Sequence, residues 1–187
     1  ARGLLRHVAR GIAYRAVRNR GTLGGSLAHA DPAADWVSVF AALDGVAVAR
    51  RAGGTRRIAA GGFLRGAFAT ALDEDEVLAA VEFPRLSAQA RWAYRKVCRK
   101  TGEFASAIGI VVLDLARGLA RVVAGAVEAA PVLLPGTSEA LRDAGPSAAE
   151  ARLAEEIGGL LPHLDPAARR LRQVAVRNAL RDIAGEG

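Results

Sequence analysis

The sequence predicts an α+β fold. Apolar residues recur at helical spacing between Pro32 and Leu43. Short apolar runs at 46–50, 56–60, 77–83, 92–99 and 119–129 are bounded by glycine, proline or charged clusters, as strands are. After Pro131 the composition turns helical again. Strands followed by a run of helices imply α+β rather than alternating α/β.

Taken in order, residues 2 to 10 predict a short helix with Leu4, Leu5, Val8 and Ala9 on one side. Ala13 to Val17 connects it to a glycine-rich stretch. Pro32 then opens a helix with Asp31 as N-cap, and Asp44-Gly45 ends it. A β-hairpin follows, turning at Ala52-Gly53-Gly54-Thr55, and Gly61 to Leu64 opens a helical turn. Asp73 to Glu76 is read as a solvated acidic turn before the strand Val77–Phe83, which Pro84 stops. Residues 85 to 91 read as a linker. Trp92 to Arg99 predicts a strand, Phe104 to Leu115 suits strand or helix by pattern alone, and Gly118 marks a turn into the antiparallel Leu119–Ala129 strand. Ser138 to Arg142 is a short helix. Ser147 to Leu161 is a longer one, with a capping box from Ser147 and Glu150. The last helix starts at Asp165-Pro166 and turns Leu171, Val174, Leu180 and Ile183 inward.

Composition excludes several classes. With 51% hydrophobic residues the 187-residue chain is not disordered. Its longest apolar stretch, Ala105 to Ala116, is too short for a membrane span and contains Asp114. The arginine-studded start is not a signal peptide. One cysteine, Cys98, permits neither an intrachain disulfide nor a zinc cluster. These readings lead to the expectation of a cytoplasmic protein. Net charge of +7 and a pI of about 10.8 invite nucleic-acid binding. The arginines are scattered, though, and few aromatics lie beside them to stack bases, so no nucleic-acid partner is expected.

One stretch concentrates chemistry: Arg18-Asn19-Arg20-Gly21-Thr22-Leu23-Gly24-Gly25-Ser26-Leu27-Ala28-His29-Ala30-Asp31-Pro32-Ala33-Ala34-Asp35. Glycines let a backbone approach a ligand closely. Thr22 and Ser26 offer hydroxyls to phosphate or sugar oxygens. A loop entering a helix N-terminus favours an anion. The pattern is neither the dinucleotide fingerprint nor a P-loop. By spacing it is an anion site or a glycine-rich turn that caps a helix.

Thr22-Leu23-Gly24-Gly25-Ser26 followed by His29-Ala30-Asp31-Pro32-Ala33-Ala34-Asp35 resembles the second FAD motif of the flavoprotein subunit of molybdenum hydroxylases, the xanthine dehydrogenase and carbon monoxide dehydrogenase family. Val77 to Pro84 resembles the strand that brings a leucine to the flavin. Tyr94 to Val97 with Arg99 to Ala105 resembles a K…R-x-G-D-F-A stretch, and Arg169 to Ala179 the family's last helix. The resemblance implies that residues 1–85 are the second half of a mixed α/β FAD-binding domain. Residues 90–187 would be the C-terminal domain, with a three-stranded antiparallel sheet and a helical segment. It implies cofactor-binding residues Thr22, Leu23, Gly24, Gly25, Ser26, His29, Asp35, Leu78 and Lys96. The Thr22–Ser26 backbone would meet the pyrophosphate and flavin edge. Asp35 would meet a cofactor hydroxyl, Leu78 the flavin face, and Lys96 its polar edge. His29 would be a structural or FAD contact, not a proton-transfer group.

Two departures qualify it. Ser26 stands where many relatives carry Asp or Asn. The family's first motif, an A-G-G-x-S loop, is missing, and Ala52-Gly53-Gly54-Thr55 comes too late to replace it. With no Met at position 1 and a start inside a helix, the chain is expected to be an N-terminally truncated fragment holding half of an FAD site, inactive alone. The expected function is electron transfer: FAD takes electrons from 2Fe-2S clusters on a small subunit, supplied by molybdopterin on a large one, and passes them to an external acceptor. The alternative is a non-catalytic assembly fragment that holds no FAD. No catalytic or metal-ligating residue is expected on this chain.

Overall fold

The computed structural model describes residues 1–185. Helix α1 (Arg2–Gly11) buries Leu4 and Val8, one turn apart on a single stripe. A one-turn α2 (Arg15–Arg18) follows. The glycine-rich stretch is itself helical: α3 runs Leu23–His29, and the Thr22 hydroxyl caps it by accepting from Gly25 N–H at 2.9 Å. Ala30, with φ of 53°, closes that helix. Asp31 does not cap the next one. Its carboxylate accepts from Ala33 N–H at 2.9 Å in a local turn, and α4 (Asp35–Ala42) starts later, with Ala34 as N-cap.

A three-stranded antiparallel sheet follows, ordered β2-β1-β5, from β1 (Val46–Arg51), β2 (Gly54–Ala59) and β5 (Val77–Glu82). Between β2 and β5 lie α5 (Ala60–Phe63) and the short pair β3 (Leu64–Gly66) and β4 (Ala69–Thr70). The hairpin turn sits at Ala52-Gly53, as expected. The acidic turn is only partly solvated. Glu76 has a side chain 2% exposed and takes two hydrogen bonds from Arg56, both at 2.6 Å, and one from Asp73 N–H. These bonds hold its carboxyl at about 2, the Arg56 bonds contributing most.

The second sheet, β6-β7-β8-β9, comprises β6 (Arg91–Val97), β7 (Ala107–Asp114), β8 (Leu119–Gly125) and the two-residue β9 (Val132–Leu133). The three expected strands are there, with β9 added at one edge. The helix-or-strand ambiguity at 104–115 resolves as a strand buried along its whole length. Ile108, Ile110 and Val112 face a core shared with Leu4, Val8, Val39 and Leu43. Val111 and Leu113 face another with Leu153, Ile157, Val176 and Leu180. A strand covered on both faces needs no alternation, which is why its pattern is uninformative. At Gly109 a Cβ would lie 2.4 Å from the Ala175 backbone, so the close helix crossing requires glycine.

Three helices close the chain: α6 (Pro135–Ala144), α7 (Pro146–Leu160) and α8 (Pro166–Ala184). The capping box at Ser147 is not formed: Gly145 is the N-cap, and Glu150 pairs with Arg177 and Arg181 instead. Glu156 caps α6, accepting from Gly136 N–H, Thr137 N–H and the Thr137 hydroxyl. Asp165 caps α8 as expected. The inward face of α8 differs in part. Leu180 and Ile183 are buried, but Arg172, Ala175, Val176 and Ala179 join them, while Leu171 and Val174 are half-buried. The predicted linker carries no regular structure from Phe83 to Ala90, and Asp114 fixes it by accepting from Ser87 N–H at 2.7 Å and the Ser87 hydroxyl at 2.6 Å.

Candidate functional site

The helices α2, α3 and α4 and the strand β6 enclose an open cavity of about 560 Å³. Its first wall is the start of α3: Thr22, Leu23, Gly25 and Ser26, with His29 at the far end of the helix. The first N–H groups of a helix have no intrahelical acceptor, and here they open beside two hydroxyls. Arg18 and Arg20 form a cationic rim. The Arg18 guanidinium donates to the Ile12 and Ala13 carbonyls, both at 2.7 Å, which fixes the chain entering α3. A third wall is the turn Gly102–Phe104. Gly102 has φ of 91°, and a Cβ there would sit 3.1 Å from the Ala13 carbonyl oxygen, so the turn packs directly on that connection.

The polar base of the cavity is Asp35 with Lys96. The Lys96 ammonium donates to one Asp35 oxygen at 3.0 Å, and both side chains are largely buried, 11% and 6% exposed. The Tyr94 hydroxyl donates to the other oxygen in a short hydrogen bond. Burial, followed by the Asp35 charge, pushes the Tyr94 phenol far above its ordinary range, so it stays a donor. Lys96 is therefore not the exposed strand lysine that its position alone would suggest.

Seven of the nine residues picked from sequence line this one cavity: Thr22, Leu23, Gly25, Ser26, His29, Asp35 and Lys96. Two do not border it. Gly24 points no substituent at any neighbour, since a Cβ there would meet nothing within 4 Å. Leu78 is half-buried in β5 and packs on the cluster of Leu27, Phe40 and Phe63. His29 is exposed, its ring 5.2 Å from that of Phe68. Tyr94 was missed as a member of the site. Its signal was present: Tyr94 and Lys96 are two apart on one strand, hence on one face. Their common partner lies 59 and 61 residues away, which only the fold reveals. Among the described residues no cluster of histidine, cysteine or carboxylates could hold a metal, and no helix is long and apolar enough to cross a membrane.

A cavity with hydroxyls at one wall, arginines at the rim and an ammonium at the base suits an anionic ligand. Comparison with known proteins names the class. Residues 2–86 match the family described as the FAD binding domain in molybdopterin dehydrogenase. The chain is 39% identical over 110 residues to the carbon monoxide dehydrogenase medium chain of Hydrogenophaga pseudoflava, covering 59% of this chain and 38% of the relative. It is 40% identical over 107 residues to the nicotine 6-hydroxylase medium subunit of Paenarthrobacter nicotinovorans, covering 57% and 37%. The aligned part thus spans under half the length of these relatives. Among solved structures, carbon monoxide dehydrogenase from H. pseudoflava lacking the Mo-pyranopterin moiety superposes with a TM-score of 0.87 at 29% identity, over 97% of this chain and 67% of that one. Quinoline 2-oxidoreductase from Pseudomonas putida 86 gives 0.80 at 28%, over 96% and 67%. The mixed α and antiparallel β fold is that of these solved neighbours.

Proposed function

We propose that this chain supplies one wall of an FAD site in the flavin-carrying subunit of a molybdenum hydroxylase-type oxidoreductase. The observation that carries the reading is the convergence of Thr22–Ser26, His29, Asp35 and Lys96 on one cavity inside the family-matching segment and its neighbouring strand. FAD would bring a redox-active ring and a pyrophosphate. The residues fit both parts. The amides and hydroxyls at the start of α3 suit the pyrophosphate, and Arg18 and Arg20 add positive charge beside them. A buried ammonium at Lys96 suits the edge of the ring that gains negative charge on reduction. Leu78 enters the proposal through the resemblance alone.

In that reading no residue of this chain does nucleophilic or acid–base work. The chain holds and tunes FAD, which receives electrons from iron–sulfur clusters on a small partner subunit, downstream of a molybdopterin-bearing large subunit. It then delivers them to an external acceptor. The proposed division is an FAD-binding part at 1–85 and a C-terminal domain at 90–187, and the family match ends at residue 86, beside that boundary. The proposed location is the cytoplasm.

The test is to purify the chain, add FAD, remove the excess and record the visible spectrum. A retained flavin band is expected. A colourless chain after this treatment refutes FAD binding by this chain and favours the assembly-fragment alternative.

A further inference from the structure

The resemblance assigns Asp35 to a cofactor hydroxyl, yet both of its oxygens already accept hydrogen bonds from protein donors, Lys96 and Tyr94. A lysine this deeply buried is costly to keep charged without a partner, and a lone carboxylate equally so. Each therefore explains the other's burial. Tyr94 and Lys96 share one face of β6, and Asp35 sits at the first position of α4. The three side chains tie the segment before the linker to the sheet after it. Lys96 borders the cavity and has three N–H donors, of which Asp35 takes one. Asp35 in turn is held at its other oxygen by Tyr94, whose hydroxyl makes no other hydrogen bond among the described residues.

We propose that Asp35 and Tyr94 are positioning residues that anchor the Lys96 ammonium at the base of the cavity, so that its remaining donors serve the electron-rich edge of the bound ligand. This rests on the flavin reading of the cavity for the ligand's identity, but not for the network itself. Asp35 acts through Lys96, not by its own contact with FAD.

Lys96 and Lys100 are the only lysines in the chain, which makes the test direct. Reductive dimethylation with an isotopically labelled reagent gives one resolvable methyl signal for each, and a dimethylammonium keeps the N–H that Asp35 accepts. Asp35→Asn is expected to move the Lys96 signal toward that of Lys100 and to leave Lys100 unchanged. Tyr94→Phe, which keeps the ion pair and serves if the Asn variant does not fold, is expected to move Lys96 in the same direction by less. An unmoved Lys96 signal in a folded variant overturns the proposal. FAD titrations of the chain supply the second readout. Lys96→Met and Asp35→Asn are each expected to weaken FAD binding about tenfold or more, the scale of a charged hydrogen bond. In the Lys96→Met background, adding Asp35→Asn is expected to change nothing further. Fully additive losses mean that Asp35 contacts FAD itself, and overturn the proposal. If the unaltered chain takes up no FAD, the flavin reading fails while the lysine signals still decide the anchoring.

Discussion

Replacing the two glycines of α3 separates folding from ligand binding at the wall of the cavity. Gly24 is the second residue of α3, and a Cβ there meets nothing within 4 Å. Gly24→Ala therefore introduces no clash and removes the conformational freedom of a helical glycine, a gain of up to about 1 kcal/mol. For a chain of this size that corresponds to a rise in Tm of about 2–4 °C at most. The neighbouring position behaves oppositely. At Gly25 a Cβ would lie 3.0 Å from the Thr22 hydroxyl oxygen, the atom that caps α3 by accepting from Gly25 N–H. Gly25→Ala strains that cap and is expected to offset its propensity gain by about 1 kcal/mol. Thermal denaturation of the two variants measures both signs. For binding, Gly25 borders the cavity and Gly24 does not, so Gly25→Val is expected to abolish FAD retention and Gly24→Val to leave it. A Gly25→Val chain that keeps its fold and binds FAD as the unaltered chain does would refute the placement of the cofactor at this wall.

Two other perturbations probe the frame around the site. The Glu76 carboxyl, held at about 2 by Arg56 and the Asp73 N–H, is lower in the folded chain than its ordinary 4.5. Its contribution is therefore fully present above about pH 4.5 and is lost as pH falls toward 2. Glu76→Gln should lower Tm at neutral pH and match the unaltered chain near pH 2, and a difference that stays constant across this range contradicts the assignment. At Gly109, Gly109→Ala places a methyl 2.4 Å from the Ala175 backbone, so α8 must move off β7. A loss of about 1–3 kcal/mol in denaturant unfolding is expected, and a neutral result means that the crossing is looser than described.

Much of the hairpin, the Val77 strand, the Gly118 turn and the Asp165 cap could be read locally, because each rests on neighbours within a few residues. What failed was also local in form but tertiary in cause. Ser147 and Glu150 have capping-box spacing, yet Glu150 pairs with Arg177 and Arg181, thirty residues on, and Gly145 with φ of 88° starts α7 instead. The glycine-rich stretch reads as a loop because glycine disfavours helices, but the Thr22 cap and the burial of Leu27 hold it helical.

The sequence by itself pointed to the α+β class, a family resemblance, and seven of the residues that border the cavity. These depend on composition, short-range pattern and a motif eighteen residues long. Only the tertiary structure decided what Asp35 and Lys96 do. A buried carboxylate and a buried ammonium are tolerated because they meet, with Tyr94 completing the set, across some sixty residues of chain. No local pattern encodes that meeting. It follows from α4 packing against the second sheet, which is a property of the shared core formed by Val39, Leu43, Ile108 and Ile110.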